Sequence, residues 1–300
     1  MSRLDLSKRI KRGLFLLDGA MGTQLIAHGV EVGSCSDYLN IASPDTIFGI
    51  HQAYILAGSD AVLTNTFGAN KSALARHGLS DKVQRINTAA AQIARRAAGG
   101  GKYVLGDIGP TGDFLQPLGG LKPVECKAAF AAQAKALSAG GVDGFIIETM
   151  TALDEMTITI EAVKSVCGDL PVFASMAFDK VAGGFKTMMG VDVESAVAKI
   201  VSLGVDAVGF NCGTVSLDEY VELAAEYAAA VKGLDADVLI FAEPNAGKPE
   251  LVQDRTVYNV SPEEFAATAE KICSAGVKII GGCCGTRPAH IKAVAAKLKK

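Results

Sequence analysis

Short apolar runs alternate along the chain with longer segments in which apolar positions recur at helical spacing. The runs cover residues 14–17, 61–63, 103–105, 144–147, 172–175, 207–210, 238–242 and 277–280. The longer segments cover residues 44–56, 80–98, 123–138, 153–166, 193–203, 218–231, 262–274 and 291–298. Buried strands and amphipathic helices give these two kinds of pattern. The chain is therefore predicted to contain about eight strand-then-helix units, which favours a closed (β/α)8 TIM barrel over an open doubly wound sheet.

Four of the predicted strands share one register. Each begins after a glycine that follows a helix, and these glycines are Gly58, Gly141, Gly204 and Gly276. Polar or thiol side chains stand seven and eight residues beyond each glycine, as Asn65-Thr66, Glu148-Thr149, Asn211-Cys212 and Cys283-Cys284. Side chains from alternate strands of a barrel share a layer, and active sites of this fold lie at the carboxyl ends of the strands. We therefore expect these side chains to meet at one mouth of the barrel.

Three of those side chains are cysteines. In a regular strand, Cys283 and Cys284 would point to opposite faces, so they could share a partner only where glycine lets the backbone leave the pleat. A buried thiol pair and a vicinal disulfide are the alternatives for an isolated pair of this kind. With Cys212 at the end of another strand, three thiolates make a zinc ligand set with one position open. A closed structural site would need a fourth ligand, and the histidines lie at none of the predicted strand ends: His28, His51, His77 and His290.

A zinc ion bound by three thiolates is electron-rich and polarises a carbonyl poorly. It can hold a substrate sulfur as a nucleophilic thiolate, so alkylation of a thiol fits better than hydrolysis. Asp18 and Glu148 stand at strand ends, where a substrate amino group could neutralise them, although Asp18 could instead cap a turn. Asn245 could bind the substrate or shape its own turn, and the same two roles are possible for Asp107.

Composition narrows the class of protein. The chain has 300 residues and no linker or low-complexity stretch, so we predict one barrel domain over residues 1–300. A net charge of -3 predicts no nucleic-acid or anionic-membrane partner. Neither a signal peptide nor a membrane span is recognisable, which predicts the cytoplasm. The seven cysteines lack the dense spacing of a disulfide scaffold.

Motifs spread over nearly the whole sequence resemble those of the zinc- and homocysteine-binding methyltransferases. They are Asp18-Gly19-Ala20-Met21-Gly22-Thr23, Thr64-Asn65-Thr66-Phe67, Gly106-Asp107-Ile108-Gly109-Pro110, Glu148-Thr149, Asn211-Cys212, Pro244-Asn245-Ala246-Gly247 and Gly281-Gly282-Cys283-Cys284-Gly285-Thr286.

This resemblance implies a (β/α)8 barrel in which Cys212, Cys283 and Cys284 bind zinc, and zinc binds the sulfur of homocysteine. It implies that Asp18 and Glu148 hold the homocysteine amino group, and that backbone amides near Ala20 and Met21 receive its carboxylate. Asn245 is placed among the substrate-binding residues.

Residues 63–69 and 242–249 are most similar to the homocysteine-binding module of cobalamin-dependent methionine synthases. This implies that methionine is formed with methylcobalamin or another methylcorrinoid as donor. Because the sequence ends after its last predicted barrel helix, we expect the corrinoid on a separate carrier protein or on a further domain. It would dock on rim loops that include residues 68–70 and 112–120 and that stay open and mobile without it.

Two other functions remain open at this point. A sulfonium such as S-methylmethionine could be the donor, whereas a betaine fits less well because the chain has no Trp for an aromatic cage. A zinc-stabilised barrel could also bind amino acids or a partner without turnover.

Overall fold

The computed structural model describes residues 3–252 and 255–299. These residues form twelve strands: β1 (Phe15–Leu16), β2 (Ala61–Leu63), β3 (Tyr103–Ile108), β4 (Gly144–Met150), β5 (Val172–Met176), β6 (Asp179–Val181), β7 (Gly184–Lys186), β8 (Ala207–Asn211), β9 (Leu239–Glu243), β10 (Glu250–Val252), β11 (Arg255–Val257) and β12 (Ile279–Ile280). Eight of them form one parallel sheet in the order β1-β12-β9-β8-β5-β4-β3-β2. The other four pair as the antiparallel hairpins β6-β7 and β10-β11.

Twelve α-helices accompany this sheet in the described part of the chain. They are α1 (Leu6–Ile10), α2 (Met21–Ala27), α3 (Leu39–Ala42), α4 (Pro44–Ala57), α5 (Lys71–Ala75), α6 (Val83–Ala98), α7 (Pro123–Gly140), α8 (Leu153–Cys167), α9 (Val193–Ser202), α10 (Leu217–Gly233), α11 (Pro262–Ser274) and α12 (Pro288–Leu298). Single 3₁₀ turns cover Ser36–Tyr38 and Ser80–Lys82. The main apolar core lies between the sheet and these helices. The predicted (β/α)8 barrel is confirmed, and the eight predicted strand-then-helix units are all present.

The first and second strands close the barrel through side chains as well as backbone. The Asp60 amide donates a hydrogen bond to the Leu16 carbonyl at 2.6 Å, and the Leu16 amide donates to Asp60 Oδ2 at 2.9 Å. Near the carboxyl ends of the same two strands, the Leu63 amide donates a hydrogen bond to Asp18 Oδ2 at 3.1 Å. Asp18 therefore has a structural role at this seam, whatever ligand it also meets.

The end of the barrel opposite the strand carboxyl ends is filled by α1. Leu6 and Ile10 join the inner core, which also contains Phe15, Ile146, Phe173, Phe241 and Ile279. Arg3 forms an ion pair with Asp143, the residue before β4. With that end filled, the accessible end of the barrel is the one where the strands have their carboxyl termini, as in other barrels of this type.

Candidate metal and substrate site

The three cysteines of the shared register meet at the open end of the barrel. Cys212 directly follows β8, whereas Cys283 and Cys284 lie in a turn beyond β12, which ends at Ile280. The sulfur of Cys284 lies 4.0 Å from that of Cys212 and 3.9 Å from that of Cys283. All three sulfurs lie within 4.8 Å of one another. The structure thus brings these residues together, and their binding of zinc stays a prediction.

The sulfur spacing fits one metal ion. Thiolates about 2.3 Å from a tetrahedral zinc would lie about 3.8 Å apart. The two hydrogen-bonded sulfur pairs lie close to that value. Hydrogen bonds with Cys212 and Cys283 lower the pKa of Cys284 to about 3, and the bond with Cys212 raises the pKa of Cys283. A soft divalent cation would replace the protons that the cluster otherwise shares.

Cys212 reaches the cluster through an uncommon backbone conformation. Its φ is 54°, in the left-handed region that non-glycine residues seldom adopt. The Tyr220 hydroxyl donates a hydrogen bond to the Cys212 carbonyl at 2.6 Å, and the Asn245 side chain donates to the next carbonyl, that of Gly213, at 2.9 Å. Such conformations persist only where surrounding contacts hold them, and they occur often at functional sites.

A cavity of about 280 Å³ lies beside the three cysteines. Four carboxyl side chains line it, and these are Asp18, Asp107, Glu148 and Glu243. No lysine, arginine or histidine lines it within residues 3–252 and 255–299. A cationic group of a ligand is the simplest counter-charge for such a cavity, because a buried carboxylate without a partner is costly.

Glu148 and Asp107 line the same cavity from the neighbouring strands β4 and β3. Burial raises the pKa of Glu148 to about 7, while the nearby Asp107 acts in the opposite direction. Burial also raises the pKa of Asp107 well above its usual range, and the negative charge of Glu148 adds to this shift. Asp107 Oδ1 is buried without a hydrogen-bond partner among the described residues.

Asn211 connects Glu148 with the cysteines. Its Nδ2 donates to Glu148 Oε2 at 2.9 Å and to Thr149 Oγ1 at 2.7 Å, and it lies 3.8 Å from the sulfur of Cys283. Its Oδ1 accepts from the Thr149 amide and from the Ser175 hydroxyl, both at 2.8 Å. Thr149 itself has a φ of 61°. One amide side chain thus orients the carboxylate and holds a strained residue beside it.

The backbone amides predicted to receive a carboxylate lie at the start of α2. The amide of Ala20 is already used, since it donates to Thr286 Oγ1 at 3.0 Å. Met21 is the first residue of α2 and lines the cavity. Amides in the first turn of a helix have no partner within the helix, so those of Met21 and Gly22 are available to an anion.

Asn245 does not line the cavity. Its amide donates to the Tyr220 hydroxyl at 3.1 Å, and its Nδ2 supports the turn after Cys212. Its Oδ1 is buried without a hydrogen-bond partner among the described residues. The structure therefore shows a turn-supporting role for Asn245, and its binding of substrate stays a prediction.

A model of the homocysteine S-methyltransferase family matches residues 15–298. The chain belongs to this family. The methionine synthases of Mycobacterium tuberculosis (strain ATCC 25618 / H37Rv) and Mycobacterium leprae (strain TN) are similar, with 33% and 32% identity over 310 and 317 residues. These alignments cover 97% and 99% of this chain but 25% of each relative, so the chain spans about a quarter of their length.

The fold is also similar to that of a solved structure. The metallated form of the homocysteine methyltransferase MmuM from Escherichia coli superposes with a TM-score of 0.78 and 22% identity, covering 97% of this chain and 99% of that one. At this identity the likeness concerns the fold. The resemblance indicated by the sequence motifs is thus confirmed at the level of the family. None of the described helices of this family member has the length and apolar character that a bilayer crossing requires.

Sequence reasoning about this family member gave no role to two residues that the structure places at the site. Asn211 was noted as one position of the shared register, in the same layer as Glu148, and as part of the motif Asn211-Cys212, but it was given no role. Glu243 ends β9, outside the four strands of that register, and nothing in the motif Glu243-Pro244-Asn245 separates an inward carboxyl from a loop residue. The alternation of that strand is the one signal that could have shown Glu243 pointing into the barrel.

Proposed function

We propose that this chain transfers a methyl group to the thiolate of homocysteine and so forms methionine, with zinc bound by Cys212, Cys283 and Cys284. One observation carries the proposal. Three thiols at the spacing of a tetrahedral metal site border a cavity whose ionisable lining is entirely acidic. Zinc bound there would hold the homocysteine sulfur deprotonated yet nucleophilic. We treat residues 1–300 as one homocysteine-binding domain.

The side chains of the cavity are proposed to hold the rest of homocysteine. Two methylene groups and the α-carbon separate its sulfur from its amino nitrogen. Glu148 is suited to bind that nitrogen because Asn211 bridges it to Cys283. Asp18 faces the same cavity from β1, and the first-turn amide of Met21 is positioned for the carboxylate.

Ala20 contributes to this pocket through its carbonyl rather than its amide. The Tyr54 hydroxyl donates to the Ala20 carbonyl at 3.0 Å, and with the Thr286 bond this fixes the start of α2. Asn245 is proposed to act through its buried Oδ1, which lies on the residue that supports the Cys212 turn. Contacts that hold a substrate in a reactive orientation increase the rate of its reaction.

The donor is proposed to be a methylcorrinoid on a carrier protein or on a further domain. Exposed apolar side chains stand near the proposed rim loops, and these are Phe67, Phe114, Leu118 and Met188, with exposures of 41%, 51%, 74% and 67%. Apolar side chains grouped at a functional opening are typical of a docking surface. A carrier of methylcobalamin is the partner that such a surface would fit.

One observation favours a small sulfonium donor such as S-methylmethionine instead. A second cavity of about 230 Å³ shares Thr149 with the first, and Asp113, Asp154 and Met188 help to line it. An acidic and apolar pocket that adjoins the acceptor site could hold a cationic donor.

The two donors are distinguished by following methionine formation with zinc-loaded protein and homocysteine. Methylcobalamin and S-methylmethionine are supplied in parallel, and Cys212→Ala serves as the inactive control. Slow turnover with methylcobalamin that a corrinoid carrier accelerates supports the first proposal. Fast, saturable turnover with S-methylmethionine alone would replace it by the second. Absence of methionine with both donors and a carrier, from protein that binds zinc and homocysteine, would favour the non-catalytic alternative.

A further inference from the structure

We propose that Glu243 is a third carboxyl ligand of the amino group of the acceptor amino acid, and therefore determines specificity for a free primary amine. This inference rests on the proposed function, because it concerns the same cavity. It goes beyond that function by adding a carboxyl residue from the end of β9 that has no role in the proposed function.

The position of Glu243 carries the argument. It ends β9, its side chain lines the cavity beside the cysteines, and only 1% of its surface is exposed. Its Oε2 is buried and has no hydrogen-bond partner among residues 3–252 and 255–299. Buried polar atoms in folded proteins nearly always have a partner, so this oxygen calls for a ligand.

The chain makes room for this side chain. A Cβ atom on Gly281 would lie 3.2 Å from Glu243 Cγ, 3.0 Å from the Asp18 carbonyl oxygen and 2.7 Å from Leu17 Cβ. Any larger residue at position 281 would therefore crowd Glu243 where it extends toward β1. Glycine at this point allows the carboxyl group to lie in the interior with Asp18 and Glu148.

The number of acceptors in the cavity also suits a protonated amino group. Glu243 Oε2 and Asp107 Oδ1 are both buried without a hydrogen-bond partner among the described residues. A protonated amino group offers three N–H donors and no acceptor. Asp18, Glu148 and Glu243 offer one carboxyl each from three separate strand ends, so the number of acceptors matches the number of donors.

The test compares two ligands on the zinc-loaded protein by calorimetry. Homocysteine has the amino group, and 4-mercaptobutyrate is the same molecule with hydrogen in its place. Glu243→Gln, which keeps the shape of the side chain, should weaken homocysteine binding about tenfold or more and change 4-mercaptobutyrate binding less than about twofold. Zinc content should stay at its wild-type value. Glu155→Gln, which alters a buried carboxyl bonded to Thr111, should leave the ratio of the two affinities unchanged.

A third ligand tests the claim without depending on how well a variant folds. N-Methylhomocysteine keeps the positive charge and loses one N–H donor, so wild-type protein should bind it more weakly than homocysteine. In Glu243→Gln, or in Glu243→Asp if the first variant is unstable, that penalty should shrink because one acceptor is already missing.

The outcomes separate this inference from the function on which it rests. If wild-type protein does not prefer homocysteine to 4-mercaptobutyrate, the proposed amino-group pocket itself is wrong. If it does, and Glu148→Gln abolishes the preference while Glu243→Gln leaves it intact, only the role of Glu243 is refuted. A second zinc equivalent that disappears in Glu243→Gln would show that the carboxyl binds metal, which would also overturn the inference.

Discussion

Replacing Asn211 by leucine should destabilise the fold and loosen the site at the same time. Asn211→Leu keeps a similar volume but removes four hydrogen bonds. The Thr149 amide and the Ser175 hydroxyl lose their acceptor, and the Thr149 hydroxyl and Glu148 lose their donor. Asn211 and Ser175 are almost fully buried, so water cannot easily replace these bonds. The substitution therefore leaves polar groups without partners in the interior.

The size of the effect follows from those groups. The Thr149 amide and the Ser175 hydroxyl are each left unsatisfied, at a cost of about 1–3 kcal/mol per group. Thr149 can recover part of this by leaving its left-handed conformation, which stores about 1–3 kcal/mol. We expect a net loss of about 2–4 kcal/mol. For a domain of this length, that corresponds to a fall in Tm of roughly 3–6 °C.

Urea unfolding of metal-free, reduced protein, followed by far-UV circular dichroism, measures this loss without a contribution from bound metal. Ser175→Ala is the matched control, because it removes a single bond to Asn211 and should cost about 1 kcal/mol in the wild-type background. In the Asn211→Leu background the same change should be neutral or stabilising, since it removes a buried hydroxyl that has already lost its acceptor. Coupling of this kind is what a double-mutant cycle detects.

Two results would refute the reasoning about Asn211. One is an unfolding free energy of Asn211→Leu within about 0.5 kcal/mol of wild type, which is the usual range for substitutions that disturb no buried contact. The other is an equal cost of Ser175→Ala in both backgrounds. Either would mean that the amide is not the element that orders this part of the cavity.

Three further predictions concern the cysteines, Glu148 and a buried histidine. Metal analysis should find about one zinc per chain in wild type and in Cys273→Ala, and much less in Cys212→Ala; full occupancy in the latter would contradict the site. Because the pKa of Glu148 is about 7, the ratio of homocysteine to 4-mercaptobutyrate affinity should fall as the pH drops through that value, and Glu148→Gln should flatten the profile. Burial lowers the pKa of His51 from 6.5 to about 4, so stability should be unaffected above pH 6.5 and fall below it, by about 2 kcal/mol at pH 5. His51→Leu should remove that slope in denaturant titrations, and an unchanged slope would assign acid sensitivity to other groups.

The repeating units of the barrel could be predicted because each strand is buried and each helix has one apolar face. The helix predicted over residues 262–274 coincides with α11, whose start is fixed by the capping box of Ser261 and Glu264. The short helices α1, α2, α3 and α5 were not predicted. They have four to seven residues, too few to show a helical period, and tertiary contacts stabilise them. The hairpins β6-β7 and β10-β11 were missed for a similar reason, since each strand has only three residues.

The site could be predicted where register alone decides proximity. Cys212, Cys283, Glu148 and Asn211 meet because equivalent positions of alternate strands share a layer, and a glycine marks the start of each strand. The hydrogen-bond partners could not be predicted in this way. Whether the amide of Ala20 is free or already bonded to Thr286 depends on the path of two loops distant in sequence, which no local pattern specifies.

The position of α1 in the closed end of the barrel has a consequence for the order of folding. Its apolar side chains are buried by residues from strands spread over the whole chain, and Leu6 Cδ2 lies 2.9 Å from where a Cβ atom would stand on Gly144, the first residue of β4. Tyr103, at the start of β3, donates a hydrogen bond to the Leu4 carbonyl at 2.8 Å. This surface does not exist until the strands have assembled into a ring, so the segment before the first strand should be the last to dock although it comes first in the chain. Contacts formed after the rate-limiting step govern how fast a native protein opens and not how fast it forms, so α1 should act as the latch that sets the lifetime of the folded barrel.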